Sequence, residues 1–175
     1  MAGLVHIYTG NGKGKTTAAI GLAIRASGNG LKVLMVQFLK GAETGEVAIL
    51  KQLGPNFKLC RREEVKAFFW KANEEQKRNL RKYTHELLKY CYDLISTEEW
   101  DMLILDEVMG AISVGFIVTE EIVHFLKNKP DKLEVVLTGR DAPEELVEIA
   151  DYVSEITLVK HPFYRGIVAR KGIEF

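Results

Sequence analysis

The chain has 175 residues, 47% of them apolar and 27% charged, a composition that fits one soluble globular domain and excludes a disordered chain. Twenty-four Lys and Arg balance twenty-four Asp and Glu, and this zero formal net charge argues against a protein that lives along a nucleic-acid backbone. No run approaches the about 18 apolar residues of a membrane span, and the N-terminus lacks signal-peptide character. A cytoplasmic protein is expected, with neither nucleic acid nor membrane as a partner.

The first predicted element is a strand over Leu4–Tyr8, followed by a glycine-rich turn. Thr16–Ser27 reads as a helix stopped by Gly28 and Gly30. Lys32–Phe38 is a nearly continuous apolar run, which suits a strand covered on both faces. A short helix is expected over Glu46–Leu53, ended by Gly54-Pro55, and a strand over Phe57–Cys60. The clearest helix spans Glu74–Ser96, where Asn73 and Gln76 form a capping-box pattern and apolar residues recur at three- and four-residue spacing. A strand over Met102–Leu105, a helix over Thr119–Lys127 and a strand over Leu133–Leu137 follow. Asp141 with Glu144 is expected to cap a helix through Ala150, and Tyr152–Leu158 is the last strand. The alternation predicts an α/β chain of three layers, a phosphate-loop NTPase-like fold with a mostly parallel sheet flanked by helices, and a single domain over residues 1–175. Cys60 and Cys91 belong to no C-x-x-C pair, so they read as buried free thiols.

Thr9–Thr16, TGNGKGKT, carries the chemistry. It matches the phosphate-loop pattern G-x-x-x-x-G-K-[ST] except that Thr9 stands in the first glycine's place. Gly10, Gly12 and Gly14 let successive backbone N–H groups turn into one concavity, at a helix N-terminus whose dipole favours anions. Lys15 is placed to reach terminal phosphates, and the Thr16 hydroxyl to ligate a divalent cation. A second motif, Met102-Leu-Ile-Leu-Asp106-Glu107, is an apolar strand ending in acids. In a parallel sheet such a strand is expected beside the loop strand, with Asp106 holding the metal directly or through water. Glu107 is open to two roles, a base that activates water or a further metal and ribose contact.

Phe68-Phe69-Trp70 interrupts a polar stretch just before the capped helix. These rings either tuck into the core or form one wall of a flat apolar ligand pocket. Arg140, ending Thr138-Gly139-Arg140, falls on the same sheet edge as the loop and either touches phosphate or pairs at the surface. The four histidines show no ligand spacing and read as structural.

The ordered set of motifs resembles the ATP:corrinoid adenosyltransferases of the phosphate-loop type. The set comprises Gly10–Thr17, Val36–Gly41 (VQFLKG), Phe68-x-Trp70, Asp101–Glu107, Leu137–Arg140, Ala150-Asp151 with Val153–Glu155, Lys160–Pro162 and Gly172–Phe175. The resemblance implies transfer of the 5′-deoxyadenosyl group of ATP to the Co(I) centre of a reduced corrinoid, releasing triphosphate, in adenosylcobalamin biosynthesis or salvage. It implies that Gly10, Asn11, Gly12, Lys13, Gly14, Lys15, Thr16 and Thr17 cradle the triphosphate, with Arg140 beside them. Thr16, Asp106 and Glu107 would serve Mg²⁺ or Mn²⁺, and Lys15, Thr16 and Glu107 would be the catalytic set. Phe68 and Trp70 would lie against the corrin and keep its lower axial ligand away. An electron-donating reductase such as a flavoprotein and a homodimeric assembly are expected. The first strand begins by Leu4, so closure of the site is expected from another segment, from the C-terminal stretch or from a partner subunit. A phosphate-loop ATPase or small-molecule kinase releasing ADP, and a non-catalytic nucleotide- or corrinoid-binding module, are the competing readings.

Overall fold

The computed structural model describes residues 2–40, 44–61 and 73–174. Its strands are β1 (Val5–Thr9), β2 (Val33–Gln37), β3 (Phe57–Arg61), β4 (Met102–Asp106), β5 (Glu134–Thr138) and β6 (Tyr152–Glu155). They form one six-stranded sheet in the order β3-β2-β4-β5-β1-β6. Every pairing is parallel, so the sheet is parallel throughout rather than mostly so. The helices α1 (Lys15–Gly28), α2 (Gly45–Leu50), α3 (Glu74–Thr97), α4 (Val108–Ser113), α5 (Thr119–Asn128) and α6 (Glu144–Ile149) lie between strands.

The period-2 geometry of a strand sends alternate side chains to opposite faces, and the core divides accordingly. Leu34, Val36, Leu103, Leu105, Val135 and Leu137 meet α3 through Leu87, Leu88 and Cys91, and α5 through Ile122 and Leu126. Val33, Met35, Met102, Ile104 and Val136 face the other way, onto Ala19, Ala23 and Ala26 of α1 and Leu50 of α2. Three layers result, as the alternation predicts. The stripe of α1 that meets the sheet is made of alanines, Ala19 and Ala23 being fully buried, so the helix lies close to the strands. α1 begins at Lys15, and that close approach sets the height of the phosphate loop above the sheet edge.

Three sequence expectations are corrected. The helix α4 was not expected: its six residues carry a glycine, Gly110, and no side-chain cap, so neither periodicity nor a start signal marks it. Asp141 does not cap α6. That helix starts at Glu144 with Pro143 at its N-cap and no side-chain bond, and Asp141 instead takes a left-handed φ of 51° two residues earlier. β4 is not the neighbour of β1, because β5 pairs with both and lies between them. The capping box of α3 is present as expected, with the Asn73 side chain accepting from the Gln76 N–H and the Gln76 side chain from the Asn73 N–H. Both cysteines are buried free thiols.

Enlarging the sheet-facing stripe of α1 should be costly. Ala23→Leu forces a larger side chain into a filled layer and is expected to destabilise the fold by about 1–3 kcal/mol, seen as a lowered midpoint in thermal unfolding. An unchanged midpoint would show that α1 has room the packing does not reveal.

Candidate nucleotide site

In a parallel α/β sheet the loops that follow the strands gather at one edge, and that edge is where ligands bind. Here the loop after β1, Gly10–Gly14, wraps the start of α1. The N-cap of α1 is Gly14, with φ 122°, no side-chain cap and no acidic residue in the first turn. Its leading N–H groups are thereby left facing the cleft, which is the arrangement that receives anions. Gly10 and Gly12 are required by a close approach: a Cβ on either would stand 2.6 Å from the carbonyl oxygen of Ile156, just past β6. The Gly12 N–H donates to that same oxygen at 2.6 Å, and the Ile156 N–H donates to Thr9 O at 2.9 Å. The end of β6 is the floor against which the loop is shaped.

Lys15 turns back over the loop, donating from Nζ to Gly10 O at 2.6 Å and Gly12 O at 2.9 Å. Burial lowers its pKa, the Arg140 guanidinium lowers it further, and Glu107 and Asp141 oppose the shift. A phosphate would relieve the same desolvation that makes this ammonium costly.

Beneath the loop lies Asp106, with no exposed surface. Its Oδ1 accepts from Thr16 Oγ1 at 2.9 Å and from Thr138 Oγ1 at 2.6 Å. Its Oδ2 accepts from Gln37 Nε2 at 3.1 Å and Lys40 Nζ at 2.7 Å. Arg61 extends the chain by donating to Gln37 Oε1 at 3.0 Å. Thr138, at the end of the intervening β5, ties Asp106 to the residue after it, since its Oγ1 also accepts from the Glu107 N–H at 3.0 Å. Asp106 is a hub for donors and not a helix cap.

Leu39, Glu107 and Asp141, at φ 56°, 61° and 51°, are the described non-glycine residues in the left-handed region. Each follows a strand end on this edge, after β2, β4 and β5. Such residues cost about 1–3 kcal/mol each and gather at functional sites. Around them opens a cleft of about 650 Å³, lined by Asn11–Thr17, Lys40, Glu107, Arg140 and His161. That volume lies within the range of small-molecule sites. The structure thus brings together the expected Asn11, Gly12, Lys13, Gly14, Lys15, Thr16, Thr17, Glu107 and Arg140, with Gly10 and Asp106 beneath them. Phe68 and Trp70, and Gly41 at the end of the VQFLKG motif, lie outside the described residues.

Three contributors escaped the sequence reading: Gln37, Lys40 and Thr138. They lie in the VQFLKG and LTGR segments, and nothing in their spacing marks them as partners of Asp106. The tail brings Gly172, Ile173 and Glu174 to the rim of the cleft. Lys13 is directed there and not into the loop, its Nζ donating to Ile173 O at 3.1 Å and Glu174 Oε1 at 3.3 Å. Of the three sources of closure considered from the sequence, the C-terminal stretch is the one these contacts favour. Glu174 also accepts from the Arg170 guanidinium, with Nη2 at 3.0 Å from Oε1, and from the Arg170 backbone N–H at 2.8 Å.

Two outcomes follow from this geometry. Gly12→Ala should leave thermal stability near the parent's but abolish measurable ATP binding in calorimetry, because the new methyl displaces the loop from Ile156; retained affinity would show the loop is not shaped there. The Glu174 carboxyl is held down to about 2 by the Arg170 guanidinium, then by the Arg170 backbone N–H, with Lys13 adding to both. Arg170 lies on the tail itself, so this ion pair holds the tail's last turn, and its contribution is present above the ordinary value of 4.5 and lost only as the pH falls through about 2. A carboxyl ¹³C titration by NMR should place the midpoint well below 4.5, and a midpoint near 4.5 would show the Arg170–Glu174 pair unformed in solution.

Known proteins place the chain. The family model described as "ATP:corrinoid adenosyltransferase BtuR/CobO/CobP" matches residues 1–175. The chain is 35% identical to the corrinoid adenosyltransferase of Escherichia coli strain K12, covering 99% of this chain and 86% of that one. It is 39% identical to the enzyme of the same name from a Sinorhizobium species, covering 99% and 80%. The corrinoid adenosyltransferase CobA of Salmonella typhimurium strain LT2 is 33% identical over 99% of this chain and 86% of its own. Among solved structures, the EssC ATPases 2 and 3 of Geobacillus thermodenitrificans share the fold, with a TM-score of 0.51 at 12% identity over 97% of this chain and 35% of theirs. With the family model matching residues 1–175 and curated relatives at 33–39% identity over 99% of its length, the chain belongs to the ATP:corrinoid adenosyltransferase family.

Proposed function

We propose that this cleft holds ATP by its triphosphate and presents the ribose C5′ carbon to the reduced cobalt of a corrinoid. The observation that carries the reading is the uncapped start of α1 with the buried Lys15 ammonium folded over it. Gly10–Thr17 supply N–H donors to the triphosphate, and Arg140 adds charge at the rim. Lys15 and Lys13 offset the charge that grows on the oxygen leaving C5′, Lys13 by exchanging Glu174 for phosphate. The Co(I) electron pair forms the Co–C bond as the C5′–O bond breaks, so triphosphate departs and no proton has to be moved. Rate then comes from alignment of cobalt, carbon and leaving oxygen.

The donor set suits Mg²⁺ or Mn²⁺. The Thr16 hydroxyl and Asp106 carboxylate are hard oxygens 2.9 Å apart, and a cationic group, the Lys40 ammonium, already rests on both. Among the described residues no cluster of three His, Cys, Asp or Glu gathers, so phosphate oxygens must complete the coordination. When bound, the ion would neutralise triphosphate charge, with Thr16 and Asp106 holding it and Glu107 at hand in the cleft. Phe68 and Trp70 are assigned to the face of the corrin, where an apolar wall excludes the lower axial ligand and eases reduction of Co(II).

The electron for that reduction comes from a separate reductase such as a flavoprotein. Burial raises the pKa of both Cys60 and Cys91, so neither thiol is suited to supply it. A homodimer is supported by the apolar surface of β6 and the tail, where Tyr152, Phe163, Tyr164 and Val168 are exposed. No described helix is long and apolar enough to cross a membrane, and a cytoplasmic enzyme fits that observation.

Product identity tests the reading. With chemically reduced corrinoid present, ATP should yield triphosphate and adenosylated corrinoid in equal amounts. Release of ADP without corrinoid would indicate an ATPase or kinase instead. Lys15→Ala should lose about 1.5–3 kcal/mol of transition-state stabilisation, a tenfold to more than hundredfold drop in kcat/KM. Near-parental turnover in that variant would remove the triphosphate from this loop.

A further inference from the structure

The cleft contains one lysine that the phosphate-loop pattern does not account for. Lys40 lies beyond the end of β2, immediately after the left-handed Leu39. Its ammonium is 2.8 Å from Thr16 Oγ1 and 2.7 Å from Asp106 Oδ2, and a quarter of its side chain is exposed. Asp106 has no exposed surface, so its charge has no water to turn to and needs a cation in contact. Lys40 provides one on a tether.

The same contacts fill the donor atoms. The Thr16 hydroxyl gives its proton to Asp106 Oδ1 and spends a lone pair on Lys40. Asp106 Oδ1 is taken by Thr16 and Thr138, and Oδ2 by Gln37 and Lys40. Of these partners Lys40 alone is a charged group reaching in from the rim; the others are polar side chains on the strand ends and on α1. A divalent cation bound at about 2.1 Å from the same oxygens would fall within a few ångströms of the ammonium, where like charges in a partly buried site repel strongly.

We infer that Lys40 is a built-in counter-ion of the metal position, competing with the divalent cation for Thr16 and Asp106. The cation therefore enters with the nucleotide and poorly without it, because triphosphate oxygens draw the Lys40 ammonium off the pair and supply the remaining ligands. In the loaded site Lys40 becomes a further cation on the leaving group. Lys40 is a positioning residue that makes metal and nucleotide binding interdependent, which deepens the metal assignment proposed above and rests on it.

Mn²⁺ binding to the full chain, counted by electron paramagnetic resonance without corrinoid so that no turnover intervenes, tests this. The parent should bind Mn²⁺ alone weakly and take it up when ATP is added. Lys40→Met should bind Mn²⁺ alone at least tenfold more tightly than the parent, and the gap between the two should narrow with ATP. Lys40→Arg, which keeps the charge, should bind Mn²⁺ alone as weakly as the parent. Equal affinity of parent and folded Lys40→Met for Mn²⁺ alone, with uptake in ATP intact, overturns the role of Lys40 and leaves the metal assignment standing. No uptake by the parent even with ATP overturns both. Should Lys40→Met fail to fold, the side-chain NMR signal of Lys40 in the parent, assigned by its loss in Lys40→Arg, decides the matter. A shift of that signal on adding Mg²⁺ with ATP, absent with Mg²⁺ alone, supports the exchange, and an unmoved signal overturns it.

Discussion

A carboxylate removed from water has to be surrounded by donors, and meeting that requirement at Asp106 organises the working edge of this molecule. Its partners come from the start of α1, the end of β2, the segment after β2 and the end of β5. Each partner is a chain segment that must arrive at a fixed height above the sheet. The insertion of β5 between β1 and β4 would otherwise separate the loop from the acid by a full strand, about 4.8 Å further than direct neighbours. Thr16 crosses that interval from the start of α1 to Asp106, while the Thr138 hydroxyl between them donates to Asp106 and accepts from the Glu107 N–H.

Much of this was legible before any coordinates. Local signals named the strands because buried parallel strands read as apolar runs, and α3 because its cap and its stripe agree. The phosphate loop was legible because glycines, lysine and threonine at fixed spacing have few other uses. Strand order was not, since periodicity says that a strand is buried and not which strand lies beside it. The partners of Asp106 were hidden for a related reason: Gln37, Lys40 and Thr138 are ordinary polar residues at strand ends, and only the three-dimensional convergence of those ends gives them a common target. The aromatic pair Phe68 and Trp70 falls outside the described residues, so its two readings stay with the sequence.

The helices divide by task. α3 begins with a complete capping box and Glu74 and Glu75 in its first turn, each favourable at the positive end of a helix dipole. α1 begins with a left-handed glycine and has none of these. A capped α1 would be more stable and would have fewer free N–H groups to offer an anion. The strained backbone at Leu39, Glu107 and Asp141 tells the same story, since stability is given up at the strand ends that face the ligand while apolar side chains fill both faces of the central strands beneath. The binding edge is held in shape by the rest of the fold and would not keep that shape alone.

The dependence of the loop on Ile156 carries a consequence for how the molecule is made. The Gly12 N–H and the Ile156 carbonyl join the first loop of the chain to the end of its last strand. Contacts so distant in sequence close late in folding, after the loop-closure entropy of the intervening chain has been met. A ribosome-bound chain that has emerged only through β5 would have the strand, the glycines and the lysine of the phosphate loop, yet no floor on which to curl them. Competence to hold a nucleotide thus depends on both ends of the chain being in place, and a chain that ends before Ile156 would lack the carbonyl that the Gly12 N–H meets.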